Sequence, residues 1–378
     1  MTRDNLSERM KFIQKSDIRK IFDHAPADAI NMGLGEIQLP LPEFLLREAE
    51  KILSEKCFFY TPNAGLWELR KLVSEYYQQR VIPEDVCITV GAEEALFCTI
   101  LTMIDPGDQV MIADPGFVAY EKIIRLAGGI PIFFNLDPDK SFRLDFTDFH
   151  KKISEKTRLI LFSYPSNPLG TAFSRQEVDF LIEQARKHSS TLIVDEVYRE
   201  LYIKEPLPSF LEDDDSAIII SGLSKSHCMT GWRLGWAVSP RTDLITAITN
   251  THQYVTTCAP YISQKLAIKA LSASGLNWIE DLRSILDNNR NQLIDVLISN
   301  FPDLAILSAD SHPYLFISFG SDDRQIASLL SQKGITVIPG SVFGENGKNW
   351  IRINYALPDV LIKKVFTKLA EINNVSLS

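Results

Sequence analysis

Short runs of apolar, often β-branched residues alternate with longer amphipathic stretches through the middle of the chain. Runs that are apolar throughout predict strands buried on both faces, and apolar residues at helical spacing predict helices. Strands that alternate with helices are typical of a mostly parallel sheet covered by helices on both sides. The predicted strands are 86–90, 109–114, 130–135, 157–164, 191–195, 216–221 and 234–238.

The helical patterns also indicate how the chain divides into domains. Helices are predicted at 44–56, 92–103 and 175–188, and a helix at 277–301 is long enough to bridge two domains. We therefore predict a large α/β domain with a seven-stranded, mostly parallel sheet at 46–285. A smaller α+β domain is predicted from both chain ends, 1–45 and 286–378, with short strands at 314–319, 335–339 and 350–355 and a closing helix at 358–372.

Composition and charge narrow the classes of partner. Hydrophobic residues make up 45% and charged residues 23% of the 378 residues, as in an ordinary globular protein. The net charge is -9 and the sequence pI is about 5.3, which argues against nucleic acid or an anionic membrane as the main partner. A local basic pocket for a small anion remains compatible with this balance.

The cysteines, the histidines and the N-terminal sequence indicate in which compartment the protein lies and whether it binds a metal. The five cysteines have no CxxC spacing, and the charged N-terminus lacks the apolar segment of a signal peptide. We therefore expect a cytoplasmic protein with reduced thiols and no membrane span. The six histidines show no ligand spacing, so we expect no metal site.

Polar residues follow the predicted strands at the points where they end. Because ligands bind at the carboxyl ends of strands in open parallel sheets, these residues predict a binding site. The sequences in question are Gly91-Ala92-Glu93, Ser166-Asn167-Pro168-Leu169-Gly170, Asp195-Glu196-Val197-Tyr198, Ser221-Gly222-Leu223-Ser224-Lys225 and Gly231-Trp232-Arg233.

Taken in this order, these sequences resemble the class I and II aminotransferases, which are fold-type I enzymes dependent on pyridoxal 5'-phosphate (PLP). The resemblance extends from about residue 31 to residue 355. It implies the fold-type I PLP-dependent transferase fold, PLP as cofactor, and amino transfer between an L-amino acid and a 2-oxo acid by a ping-pong Schiff-base mechanism. It also implies a homodimer.

The resemblance assigns the reaction centre to residues at three strand ends. Lys225 would hold PLP as a Schiff base and carry the substrate proton, which requires an amine of lowered pKa. Asp195 would pair with the pyridine nitrogen, although a helix N-cap is an alternative role for an aspartate. Tyr198 and Asn167 would donate to the phenolic oxygen of the cofactor. Taken alone, Tyr198 is more typical of a core aromatic, and Asn167 is more typical of a turn.

The phosphate of PLP requires several hydrogen-bond donors. The resemblance implies that the N–H groups of Ala92 and Glu93 at a helix start supply some of them, together with Arg233. Ser221 and Ser224 both remain candidates, because Gly222 stands where some relatives have a serine. Tyr60 would reach the phosphate of the neighbouring subunit, although it could equally be an ordinary interface or core residue.

The remaining predicted site residues concern the cofactor ring and the substrate. Phe117 would stack on the pyridine ring, and a core position is its alternative. Arg352 would bind the substrate α-carboxylate, for which a planar guanidinium is well suited. Leu34 and Gly35 would belong to a mobile N-terminal segment that closes over the substrate.

The sequence leaves the donor and the outcome of the reaction open. Glu93 lies near the position where some relatives have a lysine that recognises acidic side chains, which disfavours acidic donors. A solvent-facing residue at a helix start, where negative charge is favourable, is an equal alternative for this glutamate. Other PLP reactions of the same fold, C–S β-elimination or cyclisation, use the same cofactor residues. A non-enzymatic regulator of this fold would carry a separate DNA-binding domain, and too few residues precede Gly33 for one.

Overall fold

A computed structural model describes residues 7–56 and 58–372. The predicted small-domain ends at 1–6 and 373–378 therefore lie outside the described residues. The α-helices are α1 (Asp17–His24), α2 (Glu43–Ser54), α3 (Trp67–Tyr76), α4 (Ala92–Met103), α5 (Ala119–Leu126), α6 (Phe146–Lys152), α7 (Arg175–Lys187), α8 (Thr242–Thr256), α9 (Tyr261–Ala270), α10 (Ala273–Asn300), α11 (Asp323–Gln332) and α12 (Asp359–Ala370). The strands are β1 (Ile30–Asn31), β2 (Val86–Thr89), β3 (Gln109–Asp114), β4 (Ile130–Asp137), β5 (Arg143–Leu144), β6 (Thr157–Ser163), β7 (Thr191–Asp195), β8 (Ile218–Gly222), β9 (Gly235–Val238), β10 (Ala305–Ile306), β11 (Tyr314–Ser318), β12 (Ile335–Thr336), β13 (Ile338–Pro339) and β14 (Ile351–Asn354).

A mostly parallel sheet forms the centre of the molecule. Its eight strands are ordered β2-β9-β8-β7-β6-β3-β4-β5 among the described residues. Strand β9 runs antiparallel to both of its neighbours, and β5 runs antiparallel to β4. The seven predicted strands are all present, and the two-residue strand β5 is the addition, too short to leave a pattern in the sequence.

Apolar residues on both faces of the central strands bury the sheet between two layers of helices. In β8, Ile219 packs into the larger core on one face, whereas Ile218 and Ile220 pack into the core on the other face. This arrangement explains why the strands read as continuous apolar runs. Because β2, β3, β4, β6, β7 and β8 run in the same direction, the residues that follow them lie at one edge of the sheet, where β9 begins.

A separate core joins residues from both ends of the chain. Strand β1 pairs with β12, and a second sheet has the order β10-β11-β14-β13. Met32, Leu286, Leu315, Ile353 and Leu369 are buried together in this core. The domain boundaries at 45/46 and 285/286 stay a prediction, and α10 runs through the second of them.

Most of the predicted strands differ from the observed ones by one or two residues at an end, and two of the differences have a clear structural cause. The segment 335–339 forms two strands instead of one, because β12 pairs with β1 whereas β13 pairs with β14. The strand predicted from residue 216 begins at Ile218, since Ser216 is held in a turn by hydrogen bonds from its N–H and hydroxyl to Asp214. No helix in the described ranges is both long and apolar enough to cross a membrane.

Candidate active site

Lys225 lies at the carboxyl edge of the sheet, just after β8. Its Nζ donates a hydrogen bond to the carbonyl oxygen of Gly35 (2.5 Å) and lies 5.8 Å from the centre of the Tyr198 ring. Burial lowers the pKa of the amine to about 8; the charge of Asp195 opposes this shift, and that of Arg352 adds to it. A substantial neutral fraction near physiological pH makes the amine a usable nucleophile and base.

Asp195 is the last residue of the neighbouring strand β7, and only 5% of its surface is exposed. It accepts hydrogen bonds from the Tyr120 hydroxyl (2.9 Å) and from the Val197 N–H (3.3 Å). Burial raises the pKa of Asp195 to about 6, although both hydrogen bonds act to lower it. The carboxylate is therefore held in place and available for a cationic ring nitrogen.

Arg233 lies against the start of helix α4. A Cβ atom placed on Gly91 would come within 2.6 Å of Arg233 Nη2, so the absence of a side chain at Gly91 makes room for the guanidinium. Its Nη1 donates to the carbonyl oxygen of Thr230 (3.0 Å). Helix α4 begins directly after Gly91, so the free N–H groups of its first turn, including those of Ala92 and Glu93, lie beside this cation. An arginine next to a helix N-terminus is a typical anion site.

The two candidate serines occupy different surroundings. Ser221 is buried, and its hydroxyl lies 3.5 Å from the carbonyl oxygen of Glu196. Ser224, which adjoins Lys225, is only partly buried.

Arg352 is enclosed in β14 and is only 2% exposed. Its Nη1 donates to Asn167 Oδ1 (2.7 Å), and its Nη2 donates to the carbonyl oxygen of Gly33 (2.5 Å). The guanidinium carbon lies 4.4 Å from the Tyr314 ring centre and 4.5 Å from the Phe343 ring centre. Two aromatic rings thus orient the guanidinium, which is the geometry needed to bind a carboxylate.

The N-terminal segment at residues 33–36 passes over both Lys225 and Arg352. Asn354 Nδ2 donates to the carbonyl oxygens of Leu34 (2.6 Å) and Glu36 (2.7 Å). The carbonyl oxygen of Gly33 accepts a hydrogen bond from Arg352, and that of Gly35 accepts one from Lys225. Lys225, Arg352 and Asn354 therefore all donate hydrogen bonds to this segment.

Three further aromatic residues of the predicted site lie in different surroundings: Tyr198, Phe117 and Tyr60. The buried Tyr198 hydroxyl shares a hydrogen bond of 2.6 Å with the Tyr314 hydroxyl. Phe117 packs edge-on against Tyr120, with ring centres 5.4 Å apart. Tyr60, in contrast, is 88% exposed and is not gathered into the site of its own chain.

Comparison with known proteins identifies the family. The family model described as aminotransferase class I and II matches residues 27–369. The chain belongs to this family. Its members use PLP and transfer amino groups, so this aminotransferase moves an amino group between an L-amino acid and a 2-oxo acid with PLP as its cofactor, as the sequence predicts.

Individual relatives of this aminotransferase cover almost its whole length. A protein of Methanocaldococcus jannaschii named "Probable aspartate aminotransferase" is 35% identical over 97% of this chain and 99% of its own. The aspartate aminotransferase structure from Thermotoga maritima is 28% identical, with a TM-score of 0.88 over 97% of this chain and 99% of that one. The aromatic aminotransferase structure from Pyrococcus horikoshii is 26% identical, with a TM-score of 0.84 over 94% of this chain and 98% of that one.

The structure of this aminotransferase adds two tyrosines that the sequence analysis did not single out. Tyr120 donates to Asp195, and Tyr314 contacts both Tyr198 and Arg352. Tyr120 follows Phe117 by one helical turn, which is a weak local signal for a shared site. Tyr314 lies 116 residues from Tyr198, so only the fold brings the pair together.

The residues of the site fit PLP in charge and shape. Arg233 and the start of α4 offer an anion site for the phosphate beside Gly91. The buried carboxylate of Asp195 suits a cationic pyridine nitrogen, and the amine of Lys225 suits the aldehyde.

Proposed function

We propose that Lys225 is the residue that holds PLP and moves the substrate proton in a ping-pong amino transfer. The observation that carries this proposal is the amine of Lys225, which has a lowered pKa and is flanked by the charges of Asp195 and Arg352. Bound PLP supplies an electron sink for the negative charge that develops at the substrate Cα. Lys225 would take the proton from Cα in one half-reaction and return a proton in the other.

Asp195 and Tyr198 would adjust the electronic state of the cofactor. Asp195 pairs with the pyridine nitrogen and stabilises its protonated form by charge in a buried place. Tyr198 and Asn167 donate to the phenolic oxygen, and Phe117 packs against the ring. The hydrogen bond from Tyr120 keeps the Asp195 carboxylate oriented towards this position.

Arg233, Ser224 and the N–H groups of Ala92 and Glu93 would hold the phosphate. The location of the guanidinium beside Gly91 supports this assignment. We favour Ser224 over Ser221, because Ser221 is buried with its hydroxyl near the Glu196 carbonyl oxygen.

Arg352 and Asn167 would bind the substrate α-carboxylate beneath the segment with Leu34 and Gly35. The carbonyl oxygens of Gly33 and Gly35 accept from Arg352 and Lys225. A bound substrate must replace the contact between Gly33 and Arg352, and bound PLP must replace the contact between Gly35 and Lys225. The segment therefore opens for binding and closes with its hydrogen bonds to Asn354 in place.

We further propose that the protein acts as a homodimer in which Tyr60 reaches the phosphate of the partner's site. An exposed aromatic surface supports this proposal, since Phe59 and Tyr60 are 76% and 88% exposed and Tyr254 is 87% exposed. Asn63 Nδ2 donates to the carbonyl oxygen of Thr257 (2.7 Å) and joins the two segments that carry these rings. Exposed apolar surface of this kind is typical of a protein interface. We place the enzyme in the cytoplasm, where the free cysteines among the described residues remain reduced.

Absorption spectroscopy of the purified protein with PLP tests the role of Lys225. We expect a visible band of the covalent PLP adduct in the wild type and in Lys204→Ala, which alters an exposed lysine, and its loss in Lys225→Ala. Amino acids that serve as donors should bleach the band, and a 2-oxo acid should restore it. The donor panel should include aspartate and aromatic amino acids, because similar proteins carry both names. A band that persists unchanged in Lys225→Ala would contradict the proposal.

A further inference from the structure

Three side chains with metal-binding atoms meet between helices α4 and α8, close to the predicted phosphate site at the start of α4. Glu94 and Cys98 lie one helical turn apart on α4, and His252 faces them from α8. One carboxylate oxygen, one Sγ and one imidazole nitrogen all lie within 4.8 Å of one another. The sequence did not predict this cluster, because Glu94 and His252 are 158 residues apart.

The hydrogen bonds of the cluster converge on one carboxylate oxygen. Glu94 Oε1 accepts from His252 Nδ1 (2.8 Å), from Cys98 Sγ (3.1 Å) and from Thr256 Oγ1 (3.4 Å). The other oxygen, Oε2, accepts from the N–H of Val90 (2.8 Å). A carboxylate that accepts so many donors is ionised, and its position is fixed on both sides.

The cluster is almost closed to solvent. The side chain of His252 is fully buried, that of Glu94 is 10% exposed, and Cys98 is buried. His252 Nε2 has no hydrogen-bond partner among the described residues, so Nδ1 is the ring nitrogen engaged with the cluster.

We propose that Glu94, Cys98 and His252 bind one Zn²⁺ ion in a tetrahedral site. One thiolate, one imidazole and one carboxylate form a donor set suited to zinc and unsuited to Mg²⁺ or Ca²⁺. Thr256 or a water molecule provides the fourth ligand. Binding releases the thiol proton of Cys98 and replaces the hydrogen bonds that now join the three side chains.

The location gives the ion a structural consequence. Glu94 belongs to the first turn of α4, whose N-terminus forms the predicted phosphate site, and His252 belongs to α8. A bound ion would link the two helices and hold the start of α4. The site lies apart from Lys225 and Arg352, so zinc is expected to stabilise the protein without acting on the substrate.

Metal analysis of the holoenzyme tests the proposal. Protein dialysed against a chelator and then equilibrated with Zn²⁺ should retain about one zinc per chain, and its thermal midpoint should rise. Cys98→Ser and Glu94→Gln should each abolish this retention. The matched control Cys258→Ser removes a free thiol outside the cluster and should bind zinc like the wild type.

Cobalt provides a second readout that does not depend on activity. Co²⁺ in the same site should show the intense red-region absorption of a tetrahedral ion, away from the absorption of PLP. Wild-type protein that retains no zinc, zinc retained equally by Cys98→Ser, or a six-coordinate cobalt spectrum would each overturn the proposal. Any of these results would leave Glu94, Cys98 and His252 as a hydrogen-bonded cluster only.

Discussion

Burial has the largest effect on the pKa of Lys225, and two charged neighbours shift this pKa in opposite directions. Burial lowers it to about 8, Asp195 raises it and Arg352 lowers it. In cofactor-free protein, the neutral amine is the form that attacks PLP, so the rate of PLP capture should rise with pH through a midpoint near 8. Asp195→Asn should move this midpoint to lower pH, whereas Arg352→Met should move it to higher pH. Stopped-flow absorbance measures the midpoint for each variant. Midpoints that shift in the same direction in both variants would contradict this electrostatic account.

Tyr120 acts on Asp195 through a single hydrogen bond, which favours the charged carboxylate. Tyr120→Phe removes this donor and leaves the ring, so the pKa of Asp195 should rise by about one unit, the value of one typical hydrogen bond. The carboxylate of Asp195 is protonated as pH falls through its pKa. A higher pKa should therefore move the acidic limb of the pH profile of kcat/KM to higher pH. Activity should recover at alkaline pH. An acidic limb that stays in place, in a variant with wild-type thermal stability, would show that Tyr120 serves packing alone.

At the scale of elements, the N-terminal segment is fitted closely against two tyrosines. A Cβ atom on Gly35 would lie 2.5 Å from the Tyr314 hydroxyl but 3.7 Å from Tyr314 Cζ. Gly35→Ala should therefore prevent closure and raise KM for the amino acid by roughly tenfold, about the effect of losing one hydrogen bond to a charged group.

The double variant Gly35→Ala/Tyr314→Phe tests the steric cause directly. Removal of the Tyr314 hydroxyl leaves room for the new methyl group, so part of the lost affinity should return. Tyr314→Phe alone is the matched control, because it breaks the hydrogen bond with Tyr198. Additive effects of the two substitutions on KM would refute the clash, since residues in contact are expected to be coupled.

The sequence predicted elements well wherever the signal is local. Helix α4 was predicted at its observed bounds, because a glycine precedes it and apolar residues fill it. Asp195 ends strand β7 and Lys225 follows the neighbouring strand β8, so two of the predicted motifs lie at the ends of adjacent strands. Contacts set by tertiary packing left no such signal. Arg352 contacts Asn167, which is 185 residues away in the sequence, and Gly33, which is 319 residues away. The segment 335–339 divides into two strands because β12 pairs with β1 and β13 pairs with β14.

At the scale of the whole molecule, the site is assembled from both cores. Lys225 and Asp195 extend from the central sheet, whereas Arg352 and the segment with Gly35 belong to the part built from both chain ends. Movement of one part relative to the other is therefore coupled to the Gly33–Arg352 and Gly35–Lys225 contacts. Tyr60 is 88% exposed in this chain, and its role at the phosphate of a neighbouring subunit stays a prediction.

Mixing two impaired variants distinguishes a Tyr60 that acts across subunits from one that acts in its own chain. Tyr60→Ala should weaken PLP binding, and Lys225→Ala should abolish activity. If Tyr60 acts across the interface, a mixed dimer has one site with both residues intact and one with neither. Random re-association then gives half mixed dimers, so about a quarter of wild-type activity should return. Mixtures no more active than the average of the two pure variants would place Tyr60 within its own chain's site or outside any site.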